Sequence, residues 1–236
     1  MTMTLARKAT AEGVGTALLA AVVVGSGIFA QRLSPGDVGL QLLENSTATA
    51  AGLVALILAF GSVSGAHFNP VVSLADRIFG GLSTREFAVY VPAQIAGACA
   101  GVIVANLMFD LDAITVSTQA RDATGVLLGE VVATSGLLVV ILGVVRSGRI
   151  AAAPFAVAGY IAAAYWFTSS TSFANPAVTI GRTLTDTFAG IEPSSAVWFI
   201  PAQVVGALLA VALARFLFPD TPALDVVVPH EHSETG

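Results

Sequence analysis

Gly65-Ala66-His67-Phe68-Asn69-Pro70-Val71 and Phe173-Ala174-Asn175-Pro176-Ala177 decide the fold of this chain. Each lies near the end of a charge-free apolar stretch, 45–75 and 150–181. Both stretches are about half as long again as the ~20 residues a helix needs to cross the ~30 Å hydrocarbon core of a bilayer. Each therefore reads as a full span followed by a short re-entrant segment. Asn-Pro suits the start of such a segment, because Asn caps a helix by accepting a backbone N–H and Pro fits the first helical position, where its missing donor goes unused anyway. One Asn-Pro alone would read as a turn between spans. Two of them at matching places, each after an over-long apolar stretch, read as paired half-helices.

The remaining charge-free windows, 13–31, 87–109, 123–145 (interrupted only by Glu130) and 193–214, fit one crossing each, giving six spans in all. Composition agrees: 56% of the 236 residues are apolar and 11% charged, with a mean hydropathy of +0.85, where a soluble domain carries about a quarter charged residues. So little polar surface excludes a water-soluble, disordered or nucleic-acid-binding protein. The first window, preceded by Arg7 and Lys8, reads as a retained span rather than a signal peptide, since the run is long and Ile28-Phe29-Ala30 is a poor cleavage site.

In a six-span arrangement Arg7, Lys8, Arg77, Arg85, Arg146, Arg149 and Arg215 fall on one side, and Arg32, Arg121 and Arg182 on the other. The basic excess makes the first side cytoplasmic, with both termini inside the cell membrane. The net charge of −5 matters less than this distribution. Residues 220–236 read as a disordered cytoplasmic tail in which His230 and His232 are weak evidence for a metal, and the lone Cys99 reads as a small packing residue.

The halves resemble each other. Glu130 follows Glu12 by 118 residues, Asn175 follows Asn69 by 106, and Pro201-Ala202-Gln203 follows Pro92-Ala93-Gln94 by 109. A unit of three spans, repeated at about 9–109 and 125–218 within one membrane domain at 1–219, must lie inverted in its second copy. Two half-helix N-termini then face each other near the midplane. Their dipoles oppose cations, and the amides of Asn69 and Asn175 are free to donate to a passing solute. Gln94 and Gln203 read as interhelical hydrogen-bonding residues beside Gly97 and Gly206, with pore lining as the other reading.

These paired motifs resemble the Asn-Pro-Ala signatures of the major intrinsic protein family, the aquaporins and aquaglyceroporins, over about residues 10–218. The resemblance implies an all-α fold of six transmembrane helices plus two re-entrant half-helices, an hourglass pore, a homotetramer in the lipid bilayer and passage of small neutral solutes without a cofactor or metal. Asn69, Pro70, Val71, Asn175, Pro176 and Ala177 then form the central constriction, with Val71 departing from the family's Ala. Glu12 and Glu130 become buried acceptors for the re-entrant loops, and His67 braces the backbone before Asn69. Glu12 also admits a plainer reading as an acid at the headgroup level.

Counting from the two Asn residues, as the resemblance implies, puts the selectivity filter at Thr49, Ala163, Ser172 and Val178. The family usually has Arg where Val178 stands, so the resemblance implies a filter wider and poorer in donors than a water channel's, like that of arsenic-resistance-associated aquaglyceroporins. Arg182 lies on the same helical stripe as Val178, roughly 6 Å outward at about 1.5 Å per residue. It reads either as a snorkelling headgroup-level Arg, paired with Asp186, or as a displaced vestibule cation.

A secondary transporter also uses inverted repeats, but it would normally carry an intramembrane charge for a coupling ion, and beyond Glu12 and Glu130 the spans hold none. A water-selective channel is a further alternative. An intramembrane enzyme would need a nucleophile with its base or a metal cluster, and His67 is the only embedded His, with no ligand-spaced Asp, Glu or Cys.

Overall fold

The computed structural model describes residues 3–219; the tail with His230 and His232 lies outside them. Six helices are long and apolar enough to cross a membrane among the described residues. They are α1 (Leu5–Leu33), α2 (Val38–Ser64), α4 (Thr84–Met108), α5 (Thr124–Arg146), α6 (Ala153–Phe167, preceded by the 3-10 turn Ile150–Ala152) and α8 (Pro193–Leu217). Two short helices, α3 (Pro70–Phe79) and α7 (Pro176–Gly181, extended by the 3-10 turn Arg182–Leu184), are the re-entrant segments. Each over-long apolar window has resolved into a span and a half-helix.

Local chemistry sets these boundaries. Asn69 Oδ1 accepts from Val71 N at 3.1 Å, and Asn175 Oδ1 accepts from Ala177 N and Val178 N at 3.0 and 3.2 Å. Pro70 and Pro176 take the first helical position in each case. Gly80, at φ 88°, ends α3 in the left-handed conformation that lacks a steric penalty only for glycine. A capping box starts α4: Ser83 Oγ accepts from Glu86 N, and Glu86 Oε2 accepts from Ser83 N.

Packing repeats as the sequence does. α1 lies against α4 and α2, as α5 lies against α8 and α6. The halves meet where α2 touches α6, α4 touches α7 and α3 touches α8. The α1–α4 contact is nearly backbone on backbone, since a Cβ on Gly97 or Gly101 would collide with the carbonyls of Gly13 or Ala17. Lipid offers no hydrophobic drive between helices, so this close approach is what holds them together. A buried Lys8–Glu86 ion pair at 2.9 Å ties the start of α1 to the start of α4.

The charges sort into two ends. Arg146 and Arg215 both stack on Phe79 at the end of α3, at 4.6 and 5.7 Å, while Arg121 and Arg182 both stack on Phe173.

The tight α1–α4 seam makes a specific prediction. Gly97→Val should lower stability by about 1–3 kcal/mol through overpacking. Gly143→Ala, with nothing within 4 Å of its added methyl, should be neutral or stabilising by up to about 1 kcal/mol. Thermal melts of the purified protein in detergent measure both.

Candidate functional site

The residues before each half-helix run at membrane depth without helical hydrogen bonds, so their backbone groups need other partners. Glu12, fully buried in α1, supplies them for the first loop. Its Oε1 accepts from Ser64 Oγ (2.6 Å) and His67 N (2.9 Å), and its Oε2 from Phe68 N and Gln94 Nε2 (both 2.7 Å). Glu130 repeats this in α5, accepting from Phe173 N and Ala174 N at 2.9 Å and from Gln203 Nε2 at 2.6 Å. Glu12 is therefore not a headgroup-level acid; it is 0% exposed.

Gln94 and Gln203 are equally buried and do not line the lumen. Each bridges a carboxylate to a half-helix hydroxyl, Gln94 to Ser73 Oγ and Gln203 to Thr179 Oγ1, both at 2.9 Å. His67 sits with Nδ1 3.0 Å from Ser73 Oγ and Nε2 3.6 Å from Asp76 Oδ2. Its backbone N–H and its ring thus fix the turn into Asn69 from two sides.

The two caps face each other, and their amides are not wholly free. Asn69 Nδ2 donates to Ala174 O at 2.7 Å, and Asn175 Nδ2 donates to Phe68 O at 2.8 Å. Each amide therefore gives one N–H to the opposite loop and keeps one. The backbone that makes this possible is unusual. Ala66, Phe68, Thr171, Ser172 and Ala174 all have φ between 47° and 60°, a left-handed region that costs a non-glycine residue roughly 1–2 kcal/mol. Nothing in the residue types announces it.

A cavity of about 70 Å³ runs along the caps. Asn69 and Asn175 line it, together with Thr49, Ser172 and Val178. Pro70, Val71, Pro176 and Ala177 are buried behind the caps as the first residues of α3 and α7; Val71, 1% exposed, packs in the core and does not line the cavity.

Ala163 is not at the cavity. It is exposed on the outer face of α6, and the lumen-facing residues of that helix are Val157, Ile161 and Tyr165. The count back from Asn175 crosses an irregular loop, which keeps no helical register. An error of two residues on a helix turning about 100° per residue selects the opposite face. The four-residue spacing of Val157, Ile161 and Tyr165 was the signal that points to the correct stripe. The cavity wall is therefore not made of small residues alone: Tyr165 brings bulk, and its hydroxyl lies 3.2 Å from Thr49 Oγ1.

Arg182 is neither a snorkelling side chain nor the partner of Asp186. It is 4% exposed and lines the cavity. Its Nε donates to Ala189 O, and its guanidinium carbon stands 3.3 Å from the Phe173 ring centroid. Asp186 instead accepts from Thr118 N at 2.9 Å and from Thr118 Oγ1, which holds its carboxyl below the usual range. A carboxylate occupied by the joining loop is not available to a cation a turn away.

Similarity to known proteins agrees with this geometry. A family model described as Major intrinsic protein matches residues 1–172. Aquaglyceroporin AqpS of Rhizobium meliloti (strain 1021) is 48% identical over 226 residues, covering 95% of this chain and 96% of its own. The probable aquaporin AqpM of Archaeoglobus fulgidus is 31% identical over 247 residues, covering 92% of this chain and 98% of its own. In fold, the X-ray structure of the aquaglyceroporin from Plasmodium falciparum matches with a TM-score of 0.68 at 21% identity, over 92% of this chain and 98% of that one. With a family match over most of its length and a full-length relative at nearly half identity, this multi-pass membrane chain belongs to the major intrinsic protein family.

Proposed function

We propose that this protein is a passive channel for small neutral hydroxylated solutes. Neutral metalloid acids such as arsenite, As(OH)₃, rank first, glycerol or urea second, and water alone third. The observation that carries the reading is a lumen walled by Val178 where the family usually places Arg, with the hydroxyls of Thr49, Tyr165 and Ser172 on the same cavity. Ser172 Oγ is buried and has no hydrogen-bond partner among the described residues, so it stands ready for a hydroxylated solute. Apolar wall and spaced hydroxyls match a polyol-like molecule better than an ion. The aquaglyceroporin relative supports the same solute class. Tyr165 narrows the lumen that Val178 widens, so size selection rests on both.

Among the described residues the buried charges of the six spans are engaged in holding the fold, Glu12 and Glu130 on the loops and Lys8 on Glu86, which favours diffusion over ion-driven transport. The basic cluster around Phe79 favours a cytoplasmic location for that end and both termini. Residues 1–219 act as one channel domain in a cell membrane. The outward faces, with Phe155, Phe167 and Trp198 each at least 57% exposed, suit lipid and the neighbouring subunits of a homotetramer.

Proteoliposomes test the central claim: glycerol and arsenite should equilibrate rapidly with a low activation energy, whatever the proton or sodium gradient, and uphill accumulation would instead identify a transporter. Val178→Arg should cut glycerol and arsenite entry by at least about tenfold while sparing water, because it restores bulk and charge beside Tyr165, a difference of roughly 1.4 kcal/mol. Equal flux of the larger solutes through both proteins would remove the argument from Val178.

Asn175→Asp should cripple conduction even where folding survives. A carboxylate still caps α7, but it has no N–H for Phe68 O or for the solute, and it sets a negative charge at the constriction. Unchanged flux in a well-folded variant would reduce these Asn residues to a structural role.

A further inference from the structure

The guanidinium of Arg182 and the repeat position it occupies carry an inference about ion exclusion, which rests on the channel reading above. Across the offset of 106 residues that relates Asn69 to Asn175, Val72 answers to Val178, Ser73 to Thr179 and His67 to Phe173. Arg182 answers to Asp76. In both repeats the charged residue is set against the aromatic ring that opens its loop: Asp76 Oδ2 lies 3.6 Å from His67 Nε2, and the Arg182 guanidinium stacks on Phe173. The sign of the charge is reversed between the two ends.

Two guanidiniums share the Phe173 ring, at 3.3 Å for Arg182 and 5.2 Å for Arg121. Their situations differ. Arg121 spends Nε on Gly190 O and Nη2 on Phe188 O, and it does not line the cavity. Arg182 spends only Nε, on Ala189 O, and its side chain is part of the cavity wall. Three consecutive carbonyls, those of Phe188, Ala189 and Gly190, thus anchor both cations, and among the described residues the Nη groups of Arg182 have no hydrogen-bond acceptor. On the same wall the Ser172 hydroxyl is also unpartnered and 4% exposed. A buried, anchored guanidinium and an unused hydroxyl on one cavity wall make a site facing the lumen, and the fixed charge acts where water screening is weak.

We propose that Arg182 is the cation barrier and a solute-oxygen donor of this pore. It does from one turn outward what Val178, lacking charge and donors, cannot do at the constriction. The barrier stands on one side only, because the other repeat carries at that position Asp76, an acid buried behind His67 and off the cavity wall. The half-helix dipoles contribute a partial positive charge at the midplane, and Arg182 adds a full one on the approach to it.

Proteoliposome measurements of proton flux, methylammonium uptake and glycerol entry on the same preparations test this. In Arg182→Leu, proton and methylammonium leak per unit of glycerol flux should rise about tenfold or more. Arg182→Lys, which keeps the charge, should stay near the native ratio. Arg32→Leu removes a cation from the same side outside the pore and should leave the ratio unchanged, which separates a lumen effect from a surface-charge effect. Should the Leu variant fail to fold, Arg182→Gln keeps a planar donor for Ala189 O without the charge, and leak in that variant carries the inference. A conducting Leu or Gln variant as tight to cations as the native protein overturns it, as does a Lys variant that leaks as much as Leu. A native protein that passes no glycerol overturns the channel reading itself, a result readily told apart from either of these.

Discussion

At membrane depth a backbone N–H without a partner costs several kcal/mol, and the loops leading into α3 and α7 present N–H groups that no helix can satisfy. The carboxylates of Glu12 and Glu130 accept them, and everything at the pore depends on that acceptance. The left-handed residues Ala66, Phe68, Thr171, Ser172 and Ala174 persist because the carboxylates, the Ser64 and Ser170 hydroxyls and the Gln side chains fix the chain on every side. Gly15 belongs to the same device. A Cβ there would strike the Phe68 ring, so the helix that supplies Glu12 also clears space for the side chain whose N–H Glu12 binds.

Held in this way, the loops bring the two caps within reach of each other. The bonds from Asn69 to Ala174 O and from Asn175 to Phe68 O are the only side-chain hydrogen bonds between the half-helix starts of the two repeats among the described residues. They lock the repeats at the midplane, and they fix which amide hydrogen remains for the lumen. The caps therefore depend on the opposite repeat as much as on their own helix. Tightness of the α1–α4 seam serves the same end, because a slip there would move Glu12 relative to the loop it holds.

Much of this was legible in the sequence for a physical reason. Span length, charge spacing and the Asn-Pro caps are local signals, tied to bilayer thickness and to helix-end chemistry, so the six spans and both half-helices could be placed before any coordinates. The buried pairings of Glu12 and Glu130 came from the family resemblance, with Glu12 left open as a headgroup-level acid until its four hydrogen bonds placed it at the loop. What failed was register across an irregular loop: Ala163 faces outward and Tyr165 takes the lumen, because residues 168–174 follow no helical period. Of the two readings of Arg182, the snorkelling one failed for a related reason, while the displaced vestibule cation agrees with its place on the cavity wall. Composition around it suggests a span end, whereas the acceptor that keeps it inside, Ala189 O, is supplied by a loop whose path no spacing rule encodes.

Comparing the repeats residue by residue separates what the backbone requires from what the solute meets. Groups that hold the chain are duplicated: Glu12 with Glu130, Gln94 with Gln203, Ser64 with Ser170, Ser73 with Thr179, Asn69 with Asn175. Of the groups at the lumen, Asn69 with Asn175 and Val72 with Val178 are kept, whereas others differ: Ala66 against Ser172, His67 against Phe173, Phe68 against Ala174. An unsatisfied buried N–H is equally costly in either orientation, so inversion preserves its partners. No such cost attaches to a side chain facing a passing solute, and there the two halves are free to diverge. Phe68 fills the space beside Gly15 where Ala174 leaves room. The two repeats are alike in what supports the loops and in the caps, and differ in part of the cavity wall, where the second repeat sets the Ser172 hydroxyl and the Arg182 guanidinium and the first sets the His67 imidazole.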